Sequence, residues 1–312
     1  MIEVVKYSIK YKAVWDDFVK NSKNGTFLLY RDYMEYHADR FIDHSLLYFY
    51  KNRLVALLPA NEAGPEIHSH GGLSYGGFIT GSRMKAALML QVVQETKSYF
   101  AALGFESLKY KAIPHIYHTS PAEEDLYALF RHGAILYRRD LNSVVELSQP
   151  LKYSNDRRWR LSQGKRVRLH LGQSENHDKF FELSEQRLKD KYNLYPVHTA
   201  TEMKQLAALF PGNIRLYAAT SSGELVAGAL MYETPTVAHA QYLAASEQGR
   251  SLHALNVLVD WLLREVYPHK SYFSFGISTE QQSLYLNEGL VQNKESYGAR
   301  AVVHDFYELK LI

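Results

Sequence analysis

Phe275-Gly-Ile-Ser-Thr-Glu-Gln-Gln-Ser-Leu-Tyr-Leu-Asn-Glu-Gly-Leu-Val-Gln-Asn-Lys-Glu-Ser-Tyr-Gly298 is the stretch whose reading decides the fold. Tyr272–Ile277 reads as a buried strand and Ser283–Glu288 as a helix. Tyr285 and Lys294 are the chemical side chains of this stretch. They are nine residues apart, and nine residues turn a helix by about 180°. One straight helix therefore cannot present both on one face. Either the helix breaks at Asn287-Glu-Gly289, which Gly289 favours, or only one of the two reaches a site.

Working outward, the second half reads strand 167–172, helices 177–192 and 202–210, strands 214–219 and 225–232, strand 237–245, and an amphipathic helix 252–267. The quoted stretch and a final strand, 301–309, complete it. The first half follows the same order. Strand 3–9 precedes helices 11–22 and 30–41, then the hairpin strands 45–50 and 54–59. A Gly-rich segment, 68–78, leads to helix 84–103, strand 105–113, helix 121–131 and strand 135–147. Leu47-Tyr48 with Leu54-Val55-Ala56 matches Leu216-Tyr217 with Leu225-Val226-Ala227. A repeat of about 170 residues is too long for a solenoid and reads as a duplicated domain. The expected class is α/β (α+β), with two tandem domains, 1–150 and 151–312, each a mixed, mostly antiparallel sheet flanked by helices. The join, 149–164, is polar and basic and contains one helix after Ser154.

This element order resembles the GNAT acyltransferase fold, and two such units joined by a basic helix resemble the superfamily's Fem-type branch. That branch includes aminoacyl transferases of peptidoglycan cross-bridges and acyltransferase-like proteins of envelope polysaccharide synthesis. The residues carrying the resemblance begin at Ser246-Glu-Gln-Gly-Arg-Ser251, which is similar to the family's Gln/Arg-x-x-Gly-x-Gly/Ala pyrophosphate loop. Gly249 and Ser251 match the small positions, and Ser246 departs from Gln or Arg. Leu284-Tyr285 followed by Gly289-Leu290 is similar to the Leu-Tyr-x-x-x-Gly-Phe of ordinary members, whose Tyr protonates a leaving thiolate. Asn287-Glu-Gly-Leu with Lys294 and Gly298 is similar to the Fem-type ending.

The resemblance implies an N-acyltransferase that takes an acetyl or other acyl group from acetyl-CoA. The acceptor is the amine of a small-molecule, amino-sugar or peptide precursor. Aminoacyl-tRNA is the alternative donor, although no long coiled-coil insertion of the bridge-forming kind is visible. A degenerate fold that binds a precursor without catalysis is the alternative of another class. Acyl transfer needs a neutral amine, donors for a tetrahedral oxyanion and a proton for the leaving group. Tyr285, Lys294 and Glu280 are the candidate catalytic residues. Tyr242, Leu243, Gln248, Gly249, Arg250, Ser251 and Asn287 are candidates for donor binding. A small-residue turn at a helix start presents N–H groups and the positive dipole end to a pyrophosphate. His239 and Gln241 alternate on one face of the fourth strand and are candidates for the acceptor. In the first half, Lys111 and Tyr117 resemble the branch's acceptor-side element, and Tyr75 belongs with them as a groove candidate. Arg157 stands for a basic run, Lys152 to Arg168, suited to a nucleotide-sugar diphosphate or a tRNA acceptor stem.

Composition limits the alternatives. The 312 residues carry 36 Lys+Arg against 33 Asp+Glu, and a balance of +3 does not argue for nucleic acid by itself. The 24 Tyr beside 14 Phe and 3 Trp supply an aromatic-rich core or a Tyr-lined groove. No Cys is present, so disulfides, thiolate metal sites and a cysteine nucleophile are excluded. His68, His70, His115 and His118 lack a carboxylate at ligand spacing, and no metal is expected. Met1-Ile-Glu-Val-Val-Lys6 has no leader pattern, and no apolar run is long enough to span a membrane. The expected location is the cytoplasm.

Overall fold

The computed structural model describes residues 1–192 and 197–311. The chain forms two compact units, one of Met1–Leu141, Gln281–Ser283 and Val303–Ile312, the other of Asn142–Glu280 and Leu284–Val302.

The first unit starts with β1 (Ile2–Lys6), α1 (Lys12–Lys20) and α2 (Arg31–Met34). The single helix expected over 30–41 is broken. His37 leaves helical geometry (φ −129°, ψ 29°), and residues 35–40 continue only as 3-10 turns. Next come β2 (Ile42–Asp43), β3 (Leu46–Tyr50), β4 (Arg53–Leu58), β5 (Asn61–Ala63), β6 (Glu66–His68) and β7 (Ile79–Thr80). α3 (Ala86–Ala102), β8 (Ser107–Lys111), α4 (Glu124–Arg131) and β9 (Ile135–Glu146) follow. β1, β3, β4 and β7 form an antiparallel meander. β8 is flanked by β6 in parallel and by the chain's last strand, Arg300–Lys310, in antiparallel. Tyr48, Phe78, Phe100 and Tyr110 fill the core beneath α3, with Leu309 of the last strand among them.

The second unit contains α5 (Asn155–Gly164), β10 (His170–Ser174), α6 (His177–Tyr192), α7 (Ala200–Leu209), β11 (Ile214–Ser221), β12 (Glu224–Glu233) and β13 (Val237–Ala245). α8 (Glu247–Ser251), α9 (Ala254–Trp261), β14 (Tyr272–Ile277), β15 (Thr279–Glu280), β16 (Tyr285–Leu286), α10 (Glu288–Glu295) and β17 (Arg300–Lys310) complete the chain. β10 to β13 form a second antiparallel meander in chain order. β14 joins it in parallel to β13, and residues 142–146 of β9 lie antiparallel to β14. Each half therefore ends in a strand that closes the other half's unit. The element order repeats, but the matching signatures do not share a register, because Tyr48 faces Ala56 whereas Tyr217 faces Ala229.

The helix expected over 283–288 is absent. β15 and β16 form a hairpin there, with Glu280 opposite Tyr285. Its turn, Gln281-Gln282-Ser283, has φ of 51°, 55° and 75°. Left-handed geometry at each of these residues prevents a right-handed helix from starting. The helix starts later, at Glu288, with Asn287 as its N-cap.

Candidate functional site

The second unit's sheet opens between β13 and β14. The two strands pair only where Val237, Ala238 and His239 face Tyr272, Phe273 and Ser274. Beyond that point β13 runs on to Ala245 without a β14 partner. On the other side of β13 the register against β12 slips, with Leu230 facing Tyr242 and Met231 facing Ala240. Gln241 is the extra residue of this bulge, and a bulge re-aims the strand locally. The result, among the described residues, is a length of β13 beyond His239 with no strand paired on its β14 side.

His239 stands where the gap begins. Its Nδ1 lies 3.0 Å from the Ser274 hydroxyl. Burial, reinforced by the Lys294 charge, lowers its pKa to about 4, so the imidazole is neutral at pH 7. The Gly276 N–H also donates to the Ser274 hydroxyl, at 3.2 Å. Gly276 has φ +74°, and a Cβ there would sit 3.4 Å from His239 Cε1. Glycine is needed at this position both for its left-handed backbone and for its approach to the ring.

Lys294, on α10, is buried and donates to Gly276 O at 3.0 Å, Ile277 O at 2.6 Å and the Ser278 hydroxyl at 2.9 Å. Burial lowers its pKa to about 8. An ammonium has three protons, and these three acceptors use them. Lys294 therefore staples the end of β14 in place, and its protons are not left over for an oxyanion or a phosphate.

The two other candidate catalytic residues of the quoted stretch, Tyr285 and Glu280, lie toward solvent. Tyr285 is half exposed on β16. Glu280, opposite it, accepts from Asn287 Nδ2 at 2.8 Å. The Asn287 side-chain oxygen accepts the Leu290 N–H at 3.0 Å, so both ends of its amide are engaged in starting α10.

The turn after β13 differs from the loop expected there. Ser246 caps α8 by accepting the Gly249 N–H at 2.9 Å, which takes that donor away from a pyrophosphate. A Cβ on Gly249 would lie 1.9 Å from Val226 O, so glycine is required for close contact with β12. A side chain at Gly249 would therefore disturb the packing of α8 on β12 as well as any donor site. Arg250 donates to Ala245 O at 3.3 Å. Gln248 and Ser251 are exposed, and the Ser251 hydroxyl donates to Gln248 O at 2.8 Å. Tyr242 and Leu243 are half buried on the open part of β13, and the Tyr242 hydroxyl lies 2.8 Å from His198 Nδ1.

Arg157 is not available to a substrate. It is buried, stacks 3.8 Å from the Tyr297 ring centre and donates to the Tyr297 hydroxyl, Ser296, Asn256 and Asn293. In the first unit Tyr75 and Tyr117 are buried with ring centres 4.6 Å apart, and the Tyr75 hydroxyl lies 3.0 Å from that of Thr26. They form a packed pair, not the wall of an open groove. Lys111 is half buried, donates to Gly71 O at 3.1 Å and Leu73 O at 2.8 Å, and has its pKa lowered to about 8 by burial and by Arg138. Among the described residues no three His, Asp or Glu side chains group as a metal site. Sequence reading missed Ser274, Gly276, Ser278 and His198. The first three alternate as small residues at the end of β14 and just beyond it, which was the available signal.

A four-strand antiparallel meander, with a fifth strand parallel to the fourth and splayed from it, is the topology of the GNAT fold. Residues 152–281 match the family model described as an acetyltransferase (GNAT) domain, and the whole chain has a Fem-like GNAT fold. FemX is similar at 11% identity and TM-score 0.69, over 97% of this chain and 96% of its own. The C-terminal domain of a putative lysylphosphatidylglycerol synthetase from Agrobacterium fabrum is similar at 12% identity and TM-score 0.62, over 96% and 91%. A tandem GNAT protein from the clavulanic acid biosynthesis pathway is similar at 11% identity and TM-score 0.51, over 100% and 99%. No curated protein matches the chain by sequence. Among the described residues no helix is long and apolar enough to cross a membrane.

Proposed function

We propose that this chain is an N-acyltransferase that moves an acetyl or other acyl group from a coenzyme A thioester to an amine. The amine belongs to a small-molecule, amino-sugar or peptide precursor of the cell envelope, and the second unit is the donor side. The observation that carries this reading is the splay of β13 from β14 after His239, with the bulge at Gln241. An open strand edge is where an acyl carbonyl finds N–H donors. The amine nitrogen attacks that carbonyl, the carbon–sulfur bond breaks, and the nitrogen loses one proton while the thiolate gains one. Neutral His239 orients the amine through its imidazole and passes the proton to water, since a group with pKa of about 4 is a weak base. Tyr285 supplies the thiolate's proton. Lys294 is a positioning residue, holding Ser278 and the Gly276 backbone that packs against His239. A donor pyrophosphate would meet the outer turn of α8, where Gln248 and Arg250 are exposed and the Gly249 N–H is already bonded.

A second reading, aminoacyl transfer from tRNA, is favoured by likeness to FemX and by exposed Arg158, Arg160, Arg166 and Arg168 around α5. Because the chain has no Cys, a thiol reagent reports only released coenzyme A. Acetyl-CoA with an amino-sugar acceptor is expected to release thiol, and acetyl-CoA alone to raise the melting temperature. A melting shift with charged tRNA and none with acetyl-CoA would replace the first reading by the second. Binding of acceptors without turnover of either donor would leave a non-catalytic binding protein.

A further inference from the structure

We propose that a basic groove in the first unit binds a phosphate-bearing small molecule of the nucleoside-diphosphate class. The groove holds about 560 Å³ and lies between the β3–β4 turn and the start of α3. Lys51, Arg53, Arg83 and Lys85 line it, and no carboxylate does. All four side chains are exposed. Among the described residues none of them forms an ion pair, and Lys51 only stands 5.4 Å from the Tyr50 ring centre. Four like charges around one groove repel one another, and a bound polyanion removes that repulsion.

The fold fixes these cations. Lys51 and Asn52 have φ of 50° and 59°, a tight hairpin turn that sets Tyr50 opposite Arg53. Arg83 and Lys85 approach α3 from the other side. Lys85 is the N-cap of that 17-residue helix and makes no side-chain cap. The Leu88 and Met89 N–H groups bond back to Lys85 O at 2.9 and 3.0 Å. The Ala86 and Ala87 N–H groups have no acceptor among the described residues, and the helix dipole adds positive potential. Val55 and Leu88 give an apolar floor and Tyr50 a ring face, which suit a base or another flat moiety. Four cations match the charge of two phosphates, and the volume lies within the usual range for a ligand of this size, roughly 300–1,000 Å³. An adjoining recess of about 630 Å³ shares Val55 and Arg83, with Asp17 in its lining. The turn after β13 offers no such cluster, since Arg250 is bonded to Ala245 O and Glu247 adds a negative charge.

This inference does not rest on the acyl-transfer reading, and its test contains no acyl donor or acceptor. Calorimetric titration of the full chain at low salt uses ADP, inorganic pyrophosphate and adenosine. ADP is expected to bind, pyrophosphate to compete with it, and adenosine to bind far more weakly. The double variant Arg83→Ser/Lys85→Ser is expected to raise the ADP Kd at least tenfold, with an unchanged circular dichroism spectrum. If that variant misfolds, Lys51→Asn/Arg53→Ser on the opposite wall gives the same readout. No ADP binding at millimolar concentration, or equal Kd in wild type and a folded variant, overturns the proposal. Sedimentation with phosphatidylglycerol–phosphatidylcholine vesicles, in the absence of ADP binding, would overturn it in favour of a membrane surface.

Discussion

Lys294 spends its three protons on Gly276 O, Ile277 O and the Ser278 hydroxyl. Lys294→Met keeps the apolar stem and removes the donor from all three acceptors. Leaving a buried neutral acceptor without its donor costs about 1–3 kcal/mol. Lower denaturant midpoint and loss of turnover are both expected, because the end of β14 also holds Ser274 against His239. A variant as stable and active as wild type would reduce Lys294 to a surface-type lysine. His239 gives a pH prediction. Its folded pKa, about 4, lies below the roughly 6.5 of an unfolded histidine. Between these values the unfolded chain binds more protons, so this group's contribution to stability is full above about pH 6.5 and is lost as pH falls to about 4. Proton NMR titration of the His239 ring should give a midpoint below 5. A midpoint near 6.5 would mean that the ring is solvated. His239 was visible in the sequence as one face of a strand. Its partner Ser274 was not, because that contact depends on the register of two strands 35 residues apart in the chain.

β15, β16 and α10 stand where local periodicity predicts a helix over 283–288. Leu284, Tyr285 and Gly289 fit a helical repeat, yet Gln281, Gln282 and Ser283 all adopt left-handed backbone that side-chain spacing cannot reveal. The Ser283 hydroxyl donates to Asp140, which helps to hold that turn. The consequence is that Tyr285 and Lys294 no longer share a helix, so the spacing of nine residues does not set them in opposition. Tyr285 stands on a short hairpin and Lys294 is buried behind β14. The two variants should then behave differently. Tyr285→Phe is expected to lower kcat by roughly 10²–10⁴ with little change in KM and no loss of stability, as removal of a leaving-group acid does. Steady-state kinetics at saturating acceptor check this. Wild-type kcat in Tyr285→Phe would assign the proton to water. The longer elements were far more legible. α3, α6 and α7 lie within a few residues of their expected bounds, because long amphipathic periods dominate local exceptions. The helix expected over 30–41 failed at His37, whose backbone leaves helical geometry.

The whole chain shows why a cut at 150/151 does not describe how it folds. β8 has β17 as its antiparallel neighbour over Phe306–Lys310, and Leu309 and Leu311 are buried in the first unit's core. Residues 142–146 of β9 pair with β14 in the second unit. A fragment of residues 1–150 would lose β17 and expose one edge of β8, together with the apolar surface that Leu309 covered. A buried Leu contributes on the order of 2–3 kcal/mol, so loss of two, with a ladder of backbone bonds, removes a large share of a stability of about 5–15 kcal/mol. Element order in the sequence revealed the repeat but not this exchange, because strand propensity says nothing about which sheet a terminal strand joins. The prediction is that residues 1–150 alone give a non-cooperative or aggregating product. Residues 1–141 with Val303–Ile312 appended through a flexible linker are expected to unfold cooperatively in urea. Circular dichroism and urea melts of both fragments decide it. A cooperative transition for 1–150 as steep as that of the appended fragment would mean that the final strand adds nothing to the first unit.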